Sequence, residues 1–107
     1  DKGNTSLNKQ EKGQILSRLG IELEQLNDKE LDKLNISAGL RVSQIKPGII
    51  KRQTNMNEGF IITRVDNKPI GSIEDFKKYV NQKEDGIMLS GFYKDYPGNY
   101  YYAFGLD

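Results

Sequence analysis

The chain has 107 residues, of which 36% are hydrophobic, so it can form one small domain with a single core. Lys and Arg number 16 against 15 Asp and Glu, and the formal net charge of +1 is too small for an electrostatic nucleic-acid interface. The absence of Cys and His excludes a disulfide framework, Ser-His-Asp or Cys-His catalysis, and zinc sites of the usual type. We therefore expect no catalytic site, metal or cofactor in this chain. No apolar run approaches the roughly 18 residues of a membrane span, so we expect no membrane insertion.

Residues 1–13 are mostly polar, with Leu7 as their one large apolar side chain. A segment of this composition buries little apolar area, which predicts a linker or the end of a preceding domain. The chain also starts at Asp1 rather than at Met, which indicates a piece of a longer protein. Residues 14–107 are then expected to form the folded domain.

The first predicted strand starts at or just after Gly20. Leu19, Ile21 and Leu23 alternate with glycine and glutamate, which is the pattern of a half-buried strand. A short helix is predicted next from Asn27, because its side chain can cap the helix.

The acidic residues of this predicted helix resemble the opening of a calcium-binding loop. However, Lys33 stands where such a loop needs Gly, and Gly39 stands where it ends with Glu. We therefore interpret the acidic residues as a solvated helix face.

A second strand is predicted over residues 39–45, which alternate with Leu40 and Val42 inward. Lys, Pro and Gly at positions 46–48 then predict a turn. Residues 48–57 lack a clear period, so we expect a short helix or a loop there.

Residues 59–80 predict a strand, a turn and a helix without a break. A β-branched and aromatic run from Phe60 to Val65 is followed by turn residues at 66–69. Ser72 is placed to cap the helix, and apolar residues at 73, 76, 79 and 80 recur with helical spacing.

A closing hairpin is predicted from the apolar and aromatic runs at 87–93 and 100–106, with a turn at Pro97-Gly98 between them. Strand propensity and cross-strand pairing explain the aromatic residues without a stacked sugar or base. The count is about five strands and two helices. This favours an α+β fold with a mainly antiparallel sheet or a partly open barrel.

A backbone site for a carboxylate can also be drawn from the sequence. Gly20, flanked by apolar residues before a strand, can turn successive N–H groups toward one point. If that strand is a sheet edge beside the helix at 72–81, an extended peptide could add to it as a further strand. On local sequence alone, an ordinary strand start with a glycine is favoured.

The order of RLGIELEQL, a short helix, GLRVSQIKPG, GFIITRVDNKPIGSIEDFKKYV and a hairpin resembles a bacterial PDZ domain of the circularly permuted kind. More narrowly, it is similar to the C-terminal PDZ domain of a Deg/HtrA-family serine protease. The resemblance covers about residues 14–107 and implies a PDZ-like fold. It also implies a parent serine endopeptidase whose triad lies in an upstream trypsin-like domain. That parent would act on misfolded proteins, in protein quality control, in the periplasm or cell envelope.

The resemblance implies a carboxylate-binding loop and a peptide groove. The loop matches Arg18, Leu19, Gly20 and Ile21, with the backbone N–H groups of the last three as donors. The apolar side chains at 19, 21 and 23 would point into the peptide pocket. The residues matching the groove are Leu23 on the strand and Ile73, Lys77 and Val80 on the helix, with Phe76 and Tyr79 on the core side.

We therefore expect a non-catalytic peptide-binding module that recognises C-terminal or extended apolar segments of unfolded proteins by β-augmentation. The alternative is an assembly module that makes contacts between protomers or domains of an oligomeric protease. Its surface would be the Tyr-rich hairpin or residues 49–57.

Overall fold

A computed structural model describes residues 15–83 and 85–106, so the predicted linker at 1–13 lies outside the described residues. Within these ranges the chain forms six strands and four helices. The strands are β1 (Ile21–Gln25), β2 (Leu40–Ile45), β3 (Phe60–Val65), β4 (Lys68–Pro69), β5 (Gly86–Tyr93) and β6 (Tyr96–Gly105). The helices are α1 (residues 15–19), α2 (Asp28–Leu34), α3 (Ile49–Gln53) and α4 (Ile73–Asn81).

The six strands form one open antiparallel sheet with the order β1-β2-β3-β5-β6, and β4 pairs with β3 beside this path. The α+β fold class predicted from the sequence is confirmed, and it is compatible with a PDZ-like fold. Among the described strands, β1 and β6 lie at the two edges of the sheet.

The core is formed by side chains of the sheet and of the helices α1, α3 and α4, whereas α2 buries none of its residues. Phe60 on β3 and Phe76 on α4 are both fully buried, and Ile50 brings α3 into the same cluster. Burial of these side chains supplies the main favourable term for folding. The predicted inward residues Leu40 and Val42 are also fully buried.

One helix in front of β1 was not expected from the sequence. Residues 15–19 are helical and Leu19 ends α1, whereas β1 begins at Ile21, just after Gly20, as predicted. Gly20, with a φ of 80°, follows the helix and donates its N–H to the Leu16 carbonyl at 2.8 Å. A left-handed glycine after the last turn is a common way to end a helix. With α3 formed as well, the described residues form four helices instead of the two predicted.

The hairpin turn also differs from the prediction. The two-residue turn is Lys94-Asp95, and Pro97 and Gly98 lie inside β6. Tyr93 pairs with Tyr96 but Gly91 pairs with Tyr100, so residues 97–99 of β6 lie opposite a single residue of β5 and form a bulge that contains Pro97 and Gly98. Proline without an N–H and glycine at a φ of 91° suit a bulge as well as a turn.

Candidate functional site

The outer edge of β1 is free of any other strand in the described part of the chain. Ile21 lies opposite Ile45 of β2, and the flanking Lys46 N–H donates to the Gly20 carbonyl at 2.6 Å. Opposed residues in an antiparallel pair exchange either both backbone hydrogen bonds or neither. The Ile45 N–H points away from β1 to the Glu58 carboxylate at 3.1 Å, so this pair exchanges neither. The backbone N–H and C=O of Ile21 therefore face the outer edge.

Leu23 repeats the orientation of Ile21. The irregularity between Glu22 and Leu23 lies in β2, where Ser43 is the extra residue, so β1 itself alternates without a break. Both backbone groups of Leu23 then face outward, and its side chain shares a face with that of Ile21. Ile21 is buried and Leu23 is partly buried.

The opposite face of β1 is charged. Glu22 pairs with Lys46 at 2.5 Å, and Glu24 pairs with the Arg41 guanidinium at 2.8 Å. The edge strand thus has one acidic, solvent-facing side and one apolar side.

The helix α4 lies beside β1 and is positioned by its cap. The Ser72 hydroxyl accepts the Asp75 N–H at 3.1 Å, which confirms the predicted start of this helix. Of the three predicted groove residues on α4, Ile73 and Lys77 are partly buried. Val80 is 1% exposed and belongs to the core cluster, so its side chain is buried in the core.

The side chains on the core side of α4 follow the prediction. Phe76 is fully buried, and Tyr79 packs partly buried against the core cluster. The Tyr79 hydroxyl donates to the Asp66 carboxylate at 3.4 Å.

The loop before β1 is built by a close contact of two backbones. A Cβ on Gly20 would lie 2.6 Å from the Lys46 carbonyl oxygen. A Cβ on Gly48 would lie 2.8 Å from the Gly20 N and Cα. The close backbone contact explains why both positions are glycine. At Gly20, the left-handed conformation that ends α1 is a second reason.

This geometry changes the list of carboxylate donors. The Gly20 N–H already bonds the Leu16 carbonyl, so it is not free for a ligand. The Leu19 side chain is fully buried in the core cluster, not in a peptide pocket as the resemblance implied. The Ile21 N–H faces the outer edge, as derived above. The exposed Arg18 donates from Nη2 to the Leu106 carbonyl at 2.5 Å, which ties the loop to the end of β6.

Part of the predicted site shares one cavity. Gly20, Ile21 and Leu23 line it together with residues of α1 and of the turn after β2, namely Leu16, Ser17, Glu22, Lys46 and Pro47. Lys77 lines a separate depression on α4. The structure therefore groups the loop with the strand, and it places the α4 residues on a neighbouring element.

The bridge between β1 and α4 is a residue that the sequence analysis missed. The Gln25 side chain donates from Nε2 to the Gly71 carbonyl at 2.6 Å and accepts the Ile73 N–H at 3.3 Å. Its partners lie 46 and 48 residues further along the chain, and no local pattern in the sequence signals such a contact.

A second cavity lies between α2 and the β5–β6 hairpin. Its lining residues include Leu34, Ile61, Tyr93 and Tyr96, with charges of both signs around them. Arg41 donates to both Glu24 and Glu30, and its hydrogen bond holds the pKa of Glu30 below the ordinary value. The hydrogen bonds that Arg41 donates to Glu30 and Glu24 raise the pKa of Arg41 in turn.

The aromatic residues of the hairpin largely pack on one another. Phe60 contacts Tyr93 and Tyr102 with ring centroids 5.2 and 5.0 Å apart. The two tyrosine hydroxyls are 2.7 Å apart, and burial, followed by this hydrogen bond, raises the pKa of Tyr102. Tyr93 and Phe104 belong to the core cluster and Tyr100 and Tyr102 pack against it, whereas Tyr96 and Tyr101 are exposed.

Comparisons with known proteins give no relative: no protein-family model matches the chain, and no curated protein does. In the part of the chain that the structure describes, no helix is long and apolar enough to cross a membrane. The same residues include no group of three His, Cys, Asp or Glu side chains that could hold a metal ion.

Proposed function

We propose that this chain is a non-catalytic peptide-binding module that accepts an extended peptide as an additional strand along β1. The observation that carries the proposal is the free edge of β1 beside α4. There, Ile21 and Leu23 direct their backbone groups outward. This is the mode of recognition that PDZ domains use, and the sequence resembles that family.

Backbone pairing supplies affinity that does not depend on the peptide sequence. Ile21 and Leu23 offer two N–H and two C=O groups, and each hydrogen bond contributes about 1 kcal/mol. The partly buried side chains of Leu23 and Ile73 supply a preference for apolar residues. An apolar chain end or an extended apolar segment of an unfolded protein has these properties.

The free carboxylate of a C-terminal peptide would meet the loop before β1. Because the Gly20 N–H is engaged by α1, the Ile21 N–H is the donor at the edge. We therefore expect backbone pairing to contribute more than the carboxylate, which an amidated peptide measures directly.

The biological setting follows from the resemblance. A module of this kind would serve a Deg/HtrA-type serine endoprotease of the periplasm or cell envelope. It would deliver the termini of misfolded proteins to a triad in another domain. This chain would supply recognition only.

The test is a titration of the isotope-labelled chain with a panel of apolar C-terminal peptides, followed by NMR. Amide shifts are expected at Ile21, Leu23 and Ile73. Leu23→Ala should weaken binding roughly threefold to tenfold, because it removes buried apolar area from the groove. Leu34→Ala is the matched control, since Leu34 is also partly buried but lies on α2. Absence of shifts at β1 up to millimolar peptide would reject the proposal.

A second candidate function is assembly, and one observation favours it. The edge strand β6 has the sequence YPGNYYYAFG, which carries no charge, and its Tyr101 is 61% exposed. Natural edge strands are usually protected by charges, prolines or bulges, and the part of β6 between its bulge and Gly105 has none of these. A second copy of this chain could pair with β6 between its bulge and its end.

A further inference from the structure

The Gln25 side chain crosses from the end of β1 to the beginning of α4. Its amide donates to Gly71 at 2.6 Å and accepts from Ile73 at 3.3 Å, so it bonds backbone groups on both sides of the cap residue Ser72. A primary amide carries both donors and an acceptor, which is why glutamine can make this pair of bonds.

The bridge lies at one end of the edge that the proposed peptide would use. Gln25 is the last residue of β1, and the outward-facing residues Ile21 and Leu23 precede it. A peptide strand that extends past Leu23 would therefore have to occupy the space that the Gln25 side chain fills.

The other end of the same edge is also bounded. Gly20 is packed against Gly48 and follows directly on α1. From Ile21 to Gln25 there are four steps of about 3.3 Å, or roughly 13 Å. This length accommodates about four residues of an extended peptide.

We propose that Gln25 is a specificity-determining residue that closes the groove beyond Leu23 and limits the peptide paired with β1 to about four residues. The inference rests on the proposed peptide-binding function and assigns the length limit of the groove to the Gln25 side chain.

The test compares two peptides in calorimetric titrations. One is an acetylated tetrapeptide of apolar residues with a free carboxylate, and the other carries four additional Ser and Ala residues at its N-terminus. The wild-type chain should bind both with affinities within about twofold. Gln25→Ala should bind the longer peptide roughly threefold to tenfold more tightly than the shorter one, because one or two further backbone bonds can form.

The ratio of the affinities for the two peptides separates the effect of the Gln25 side chain from a general effect on α4. A general loosening of α4 lowers both affinities together and leaves their ratio unchanged. Gln25→Asn, whose amide is one methylene too short to reach α4, should behave as Gln25→Ala does. Gln44→Ala, on an exposed residue of the neighbouring strand, should behave as the wild type.

An unchanged ratio in both Gln25 variants would overturn the inference, as would a wild-type chain that already prefers the longer peptide by the same factor. Either result leaves tetrapeptide binding, and with it the proposed function, intact. If the wild-type chain binds neither peptide, the proposed function and this inference fall together.

Discussion

Gly20 combines two demands that only glycine meets. Its φ of 80° lies in the left-handed region, and a Cβ there would lie 2.6 Å from the Lys46 carbonyl oxygen and 2.9 Å from that of Pro47. The first demand costs a non-glycine residue about 1–2 kcal/mol, and the second requires the backbone to move. The loop before β1 therefore depends on this residue for its shape.

Gly20→Ala should lower the free energy of unfolding by about 3 kcal/mol or more, because strain and overlap add. Gly98→Ala is the matched control. Gly98 has a φ of 91°, but a Cβ at this position would have no neighbouring atom within 4 Å. It should cost only about 1 kcal/mol. Urea unfolding of the two variants measures the difference. Equal costs would show that space at Gly20 is not limiting.

At the residue scale, the sequence was informative where the signal is local. Ser72 and Asn27 were predicted as helix caps, and both make that hydrogen bond. Gly20 was considered as a residue that turns backbone N–H groups toward a carboxylate, but the bond from its own N–H to the Leu16 carbonyl was not predicted. That partner belongs to α1, whose described part has only five residues and is too short to show a helical period.

Two helices of the molecule begin in the same way. The Asn27 side chain accepts the Glu30 N–H at 2.9 Å at the start of α2. The Ser72 side chain accepts the Asp75 N–H at 3.1 Å at the start of α4. Because α4 borders the proposed groove and α2 does not, the two caps can separate an effect on stability from an effect on binding.

Ser72→Ala and Asn27→Ala should each cost about 1 kcal/mol of unfolding free energy, since each leaves one helix donor without its side-chain partner. Only Ser72→Ala should also weaken peptide binding, by up to about fivefold, because it loosens the first turn of α4 around Ile73. Urea unfolding and peptide titration of both variants provide the comparison. Equal weakening by both caps would argue against α4 as a wall of the groove.

At the element scale, the Pro-Gly dipeptide of the hairpin did not predict the position of the turn. The two strands of the hairpin were predicted, but its turn was placed at Pro97-Gly98 instead of Lys94-Asp95. Proline and glycine also suit a bulge inside an edge strand. Only the register of β6 against β5 distinguishes the two arrangements.

At the scale of the whole molecule, the sheet formed by the described residues has two edges, and a glutamine is found at each. Gln53 bonds both backbone groups of Gly105, accepting its N–H at 2.8 Å and donating to its carbonyl at 3.1 Å. By the alternation of β6, the backbone groups of Tyr101 and Ala103 face the same outer side. The protected part of this edge is therefore its end, and its middle is open to a second strand.

If β6 mediates assembly, the average mass in sedimentation velocity should rise above 12.2 kDa as the concentration increases. Tyr101→Lys places a charge on the open edge and should keep the chain monomeric. Gln44→Lys adds the same charge on the inner strand β2 and should associate as the wild type does. A wild-type mass that stays at 12.2 kDa across the concentration series would reject assembly through this edge.

Relations between distant parts of the chain were not accessible from the sequence. The class of fold was predicted from periodicity and turn residues, but periodicity does not reveal which strands lie at the edges. The contacts that shape the site join Gln25 to residues 46 and 48 positions away and Arg18 to Leu106, 88 positions away. Such contacts depend on the assembled sheet.

The contact between Gly20 and Gly48 has a consequence for genetic suppression. A defect caused by a larger residue at one position is often relieved by a smaller residue at its neighbour. Gly48 has no side chain that a mutation could shorten. The other atoms close to a Cβ on residue 20 are the carbonyl oxygens of Lys46 and Pro47. A selection for second-site revertants of Gly20→Ala should therefore return changes in the 46–48 turn or true reversion, and none that merely trims a side chain.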